Sequence, residues 1–243
     1  MLSILRGRTY RHLFAAQILS LIGTGLTTIA LGLLAYELAG ADAGLVLGIA
    51  LAIKMVAYVA ISPFAGAVAG WLPRRGFLVT LDVLRAAMVL LLPFVTEVWQ
   101  IYLLVFLFQS CSAAFTPTFQ AIIPDILPEE REYTSALSLS RLAYDLESLL
   151  SPLLAAALLT LISFHWLFIG NAVGFVASAL LVLSVTLPAV GMVQRRFLER
   201  LTRGAWIYLR TPRLRGLLAL SFAVAAAGAM VIVNTVVLVR EEF

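Results

Sequence analysis

Seven stretches of 18 or more mainly apolar residues divide this chain, at 13–38, 45–69, 78–95, 101–123, 135–162, 166–187 and 217–239. A helix needs about 20 residues to cross the hydrocarbon core of a bilayer, so each stretch is long enough to span. Backbone groups in lipid must be satisfied within their own segment, which makes each span helical. The predicted fold class is therefore all-α, a polytopic transmembrane helical bundle. Apolar residues make up 62% of the sequence and charged residues 12%, and what remains between the spans is too short to bury a soluble core.

Arginine placement sets the orientation. Thirteen arginines fall before span 1 or in the connections 2–3, 4–5 and 6–7, whereas the connections around Asp42, Glu97 and His165 carry none. The positive-inside rule then puts the N-terminus in the cytoplasm, with the spans alternating from there. Arg240, beyond span 7, is the outward exception and lies beside Glu241 and Glu242. The net charge of +4 is thus a topology signal, with no nucleic-acid partner implied. Span 1 is too long for the apolar core of a signal peptide and no cleavage site follows it, so a multi-pass protein of the plasma (inner) membrane is expected. Cys111, the single cysteine, reads as a small apolar residue of span 4.

Charges inside the spans are the candidate functional groups. Lys54, the only lysine, lies in span 2, and Arg141, Asp145 and Glu147 lie in span 5. Such a group costs about 2.5–3.5 kcal/mol at mid-bilayer on insertion scales, so it persists where it meets a partner or a wet cavity. At 1.5 Å per residue, Lys54 is roughly 14 Å from the outer start of its span and Asp145 roughly 15 Å from the cytoplasmic start of its own. These depths match, and Lys54 is expected to pair with Asp145 or Glu147 in one state and release it in another. A carboxylate released into a low-dielectric cavity could carry a proton and couple transport to the proton gradient. The plainer alternative is a structural ion pair that locks helices together. Arg141 and Asp145, four apart, also suit an intrahelical pair. Asp145 and Glu147 point about 200° apart around the helix, so both cannot face one partner.

The first six spans read as two three-helix repeats of inverted direction. Ser62-Pro63-Phe64-Ala65-Gly66-Ala67 in span 2 corresponds to Ser151-Pro152-Leu153-Leu154-Ala155-Ala156 in span 5. Inverted repeats are a construction of secondary transporters. Pro63 and Pro152 each remove a backbone hydrogen bond and are candidate hinges, with close packing of the small neighbours as the alternative use. From 188 to 216 the composition turns basic, with Phe197, Leu198, Leu201, Ala205 and Leu209 at roughly helical spacing between arginines. This segment suits an interfacial helix on the anionic leaflet, or a basic tether. The expected organisation is a six-span bundle over 1–187, a cytoplasmic linker over 188–216, and a seventh span over 217–243.

Six helices, a basic cytoplasmic linker and a further helix resemble the major facilitator superfamily, whose members join two six-helix halves. Residues 66–75, between spans 2 and 3, are similar to that family's signature loop: Gly66, Arg74 and Arg75 match, while Gly70 stands where an aspartate belongs and Trp71 where an arginine often follows. Ser151-Pro152 with Ala155 and Ala156 resembles the span-5 signature of its exporters, although Glu147 occupies a usual glycine position. Span 4 lacks the embedded arginine of many proton-coupled exporters. Asp82 and Arg85 in span 3 look like the branch containing macrolide-efflux and enterobactin-export permeases. The resemblance implies a cytoplasmic gating role for Gly66, Arg74, Arg75, Asp82 and Arg85. It also implies a span-7 wall of the substrate cavity that would include Asn234.

The expected function is secondary active transport, with proton-coupled efflux of a small amphipathic molecule such as a drug or siderophore. Its partners would be the lipid bilayer, the substrate, protons, and a missing C-terminal bundle or another half; no cofactor or metal is expected. A non-transporting half-transporter, or a membrane scaffold or regulator that assembles with another chain, is the main alternative. An enzyme is disfavoured because His12 and His165 fall on opposite sides of the membrane and no nucleophile, metal or phosphate motif is present. A seven-helix receptor would place the N-terminus outside, and span 7 has no lysine for a retinal Schiff base.

Overall fold

Each of the first six apolar runs is a helix in the computed structural model, which describes residues 2–68, 72–187, 206–224 and 226–227. The helices are α1 (Arg8–Ala39), α2 (Ala43–Val68), α3 (Arg74–Leu91), α4 (Val98–Ile126), α5 (Glu130–Leu159) and α6 (His165–Leu183), and no strand occurs among the described residues. Among the described residues five stretches are long and apolar enough to cross a membrane, the first of which, Arg8–Ala65, contains both α1 and most of α2. Gly40 separates those two: its φ of 53° is left-handed, and its N–H closes on the Tyr36 carbonyl. The protein is an all-α transmembrane bundle.

Local chemistry fixes several ends. Gln100 and Glu97 form a capping box at the start of α4, and Glu130 and Glu132 place negative charge in the first turn of α5. Span 3 was expected to reach residue 95, but α3 stops at Leu91 because Pro93 redirects the chain into a 3-10 turn over Leu92–Phe94.

By contact clustering the chain divides into two compact units, Met1–Val193 and Gln194–Phe243. In the first, α1 packs on α5 and α6, α4 packs on α2 and α3, and α3 packs on α6. Exchanging α1, α2, α3 for α4, α5, α6 leaves this set of pairings unchanged, which is the packing expected of two related three-helix repeats. Two apolar clusters form the core. One takes Leu34 of α1, Val89 of α3, Ile101 of α4 and Phe168 of α6; the other takes Leu13, Leu78, Ile122 and Val182 of the same helices. Between them, along every one of those helices, lie buried polar residues: Gln17 and Ser20, Asp82 and Arg85, Gln109 and Ser112, and Ser178. The outer face is apolar, with Val59, Leu149, Leu153 and Val173 exposed where hydrocarbon would cover them.

Two glycines let α1 approach its neighbours. A Cβ on Gly23 would overlap the Asn171 side chain of α6, and one on Gly25 would overlap Ser151 and Glu147 of α5. Asn171 uses this approach to donate to Thr27 Oγ1 across the α1–α6 interface. Gly23→Ala is expected to lower stability by about 1–3 kcal/mol through overpacking. Thermal unfolding of the full-length protein in detergent checks this.

In the second unit residues 206–210 and 212–224 are helical. Thr211 interrupts them, its hydroxyl donating to the Ile207 carbonyl at 2.8 Å, and Pro212 opens the next helix at a position where its missing N–H is harmless. This helix runs through the junction expected near residue 216. Most of the expected linker, the loop residues Gly70 and Trp71, and Asn234 lie outside the described residues.

Candidate functional site

The deepest charges in the first unit are Asp82 and Arg85, with side-chain exposures of 0% and 3%. The family resemblance gives them a cytoplasmic gating role at the start of span 3. The structure instead places them roughly 12 and 16 Å along α3 from Arg74, inside the bundle. The Arg85 guanidinium pairs with the Asp82 carboxylate one turn earlier and donates to Ser20 Oγ of α1 at 3.0 Å. Ser178 of α6 donates to the other Asp82 oxygen at 2.8 Å. The guanidinium also lies over two rings, Phe115 at 4.2 Å and Phe175 at 4.5 Å. An ion pair stripped of water persists where such partners satisfy its remaining atoms. Four helices thus meet at one charge pair.

Beside this pair lies a polar cavity of about 150 Å³. Arg85 forms part of its wall, together with Ser20, Thr24 and Thr28 of α1, Lys54 and Tyr58 of α2, Ser112 and Thr116 of α4, and Tyr144 and Glu147 of α5. Lys54 and Glu147 are close enough for their charges to interact, yet they form no ion pair within 4.0 Å. Asp82 already compensates Arg85. That leaves Lys54 and Glu147 as the opposed charges of the cavity.

The hydroxyls of this wall are oriented by their own helices. Thr24 donates to the Ser20 carbonyl at 2.8 Å, Thr28 to Thr24 at 3.0 Å, Ser112 to Phe108 at 3.1 Å and Thr116 to Ser112 at 3.3 Å. Each proton is spent on the carbonyl four residues back, so these four hydroxyls offer lone pairs to the cavity, while Lys54, Tyr58 and Tyr144 bring donors to the same wall.

The other predicted residues lie elsewhere. Arg141 and Asp145 form an i,i+4 pair at 3.2 Å with exposed side chains, away from the cavity wall. The angle of about 200° between Asp145 and Glu147 explains this, because turning Glu147 inward turns Asp145 outward. Pro63 and Pro152 are exposed within α2 and α5, and the small followers Ala65 and Ala155 are buried. Among the span-4 phenylalanines, Phe106 is exposed, while Phe108, Phe115 and Phe119 are buried.

Arg74 and Arg75 sit in the first turn of α3, where a helix dipole disfavours cations. Their partners explain the position. Arg74 pairs with Asp125, an acid equally misplaced in the last turn of α4, and Arg75 donates to the carbonyl of Leu183, the last residue of α6. The two arginines therefore cap the C-terminal ends of neighbouring helices.

Sequence reasoning missed most of the cavity wall. The signal was present: Gln17, Ser20, Thr24 and Thr28 recur at spacings of three and four down one face of α1. Lys54 with Tyr58, Ser112 with Thr116, and Tyr144 with Glu147 repeat that spacing on three other helices.

Residues 13–243 match the Major Facilitator Superfamily. The sequence is also similar to an uncharacterised MFS-type transporter, YfiS, of Bacillus subtilis (strain 168), with 28% identity over 172 residues. That match covers 70% of this chain and 40% of the relative, so the chain spans less than half of the relative's length.

Proposed function

Because the chain belongs to the Major Facilitator Superfamily, we propose that it forms the first bundle of a secondary active transporter, with the Lys54–Glu147 cavity on the substrate route. Residues 1–187 form that bundle, 188–216 a cytoplasmic linker, and 217–243 the start of a second bundle whose wall includes Asn234. The N-terminus is cytoplasmic in the plasma membrane, as the arginine distribution requires. The cargo is a small amphipathic molecule, exported in exchange for protons, in keeping with the span-5 and span-3 resemblance to drug, macrolide and enterobactin exporters.

One observation carries this reading: a carboxylate and an ammonium face a polar cavity inside the bundle without being joined. A locking ion pair would be closed and dry. An open pair is free to exchange partners, so a proton or cargo reaching Glu147 changes what Lys54 sees, and rocking of the bundles follows that change. Pro63 and Pro152 would supply flexibility in the helices that carry Lys54 and Glu147. Arg74 and Arg75, through the ends of α4 and α6, would hold the cytoplasmic side of the bundle together.

Inside-out vesicles containing the full-length protein test this reading. An acid-inside gradient is expected to drive accumulation of a fluorescent amphipathic compound, and collapsing the gradient with nigericin is expected to abolish it. A second reading, a half-transporter or scaffold that assembles with another chain without moving cargo, requires no gradient-dependent flux under any condition.

A further inference from the structure

A second cavity, of about 250 Å³, opens between α1 and α5. Phe14, Ile18 and Ile22 line one side, Leu139, Leu146 and Leu150 the other, and the single charged or polar group in its wall is Glu147. Glu147 belongs to the polar cavity as well, so one carboxylate stands where an apolar groove meets a polar chamber. Lys54 lines only the chamber. A ligand entering along the groove therefore meets the carboxylate before it meets the competing ammonium.

We infer that this junction binds a protonated amine bearing an apolar body, with the body in the α1–α5 groove and the ammonium on Glu147. Three independent features select that chemistry. The groove excludes polar bodies, since burying one there would leave its groups without partners. Glu147 selects positive charge. The hydroxyls of Thr24, Thr28, Ser112 and Thr116, whose protons are held by their own helices, select a head that donates hydrogen bonds. Arg85 does not oppose the cation, because Asp82 neutralises it.

The inference rests on the transport reading, and the test separates the two. Binding of decylammonium, decanol and decanoate, three probes with one apolar body, is measured on the full-length protein in nanodiscs with empty discs subtracted. Decylammonium is expected to bind about tenfold or more tightly than the other two, as a charge-assisted hydrogen bond would produce. Glu147→Gln is expected to erase that preference and Glu147→Asp to keep it. Lys54→Met is expected to strengthen ammonium binding, a gain that general damage to the fold would not produce. Equal binding of the three probes would show a groove that takes lipid acyl chains, and no binding of any would show a groove closed by another helix. Either result overturns the inference, as does preference for decanoate or an unchanged preference in Glu147→Gln. If gradient-driven flux of another compound persists in those cases, the transport reading stands alone; if flux is also absent, both fall.

Discussion

Asp82→Ala is expected to cost the bundle about 3–5 kcal/mol, because it strands the buried charge of Arg85. Arg85 keeps its bond to Ser20 and its two rings, but neither supplies a negative charge, and Glu147, which shares its cavity, lies beyond ion-pair distance. The double substitution Asp82→Ala, Arg85→Leu removes both charges and is expected to recover most of the loss, since apolar replacement of a whole buried pair is often neutral. Arg85→Lys is not expected to be silent. The planar guanidinium satisfies Asp82 and Ser20 together while its Cζ lies over the Phe115 and Phe175 rings, which a tetrahedral ammonium cannot reproduce. Thermal unfolding of the four proteins in detergent decides the matter. A wild-type melting temperature for Asp82→Ala would show that the pair bears no buried charge.

Glu147→Gln is expected to reduce proton-driven accumulation by the full-length protein by about tenfold or more and to flatten its pH dependence, as loss of an intramembrane carboxylate relay would. Asp145→Asn, two residues away, is expected to stay within about twofold of wild type, because its partner Arg141 is solvent- or headgroup-accessible and exposed pairs contribute little. The contrast between these neighbours is the useful part. Both are acids of α5 at similar depth, so membrane insertion is burdened alike by each, and only the direction in which they point differs. Equal defects in the two variants would assign the effect to α5 as a whole.

The helices were legible because apolar runs of bilayer length leave few alternatives, and their ends moved by only a few residues. The matching depth of Lys54 and the span-5 acids was legible, but Lys54 and Glu147 line one cavity without forming the expected pair. Helical geometry required that one of Asp145 and Glu147 turn away. Which of them turned could not be read, because it depends on where α1 meets α5. That crossing is set by Gly25, whose missing side chain admits both Ser151 and Glu147. The place of Asp82 and Arg85 in span 3 was legible, but not their depth in the packed bundle: two to three turns of helix carry them from Arg74 at its end to its centre. Their four partners come from α1, α4 and α6, separated by up to 96 residues, and no local pattern reports such a meeting.

Acylation of Lys54 tests the central claim most directly, because it is the only lysine of the chain and its modification is readable by peptide mass spectrometry. A small water-soluble acylating reagent, applied to native membranes containing the full-length protein, is expected to modify Lys54, and transported cargo is expected to slow that modification. A lysine that stays unmodified in membranes, while reacting fully after denaturation, would contradict a water-accessible cavity at Lys54 and Glu147.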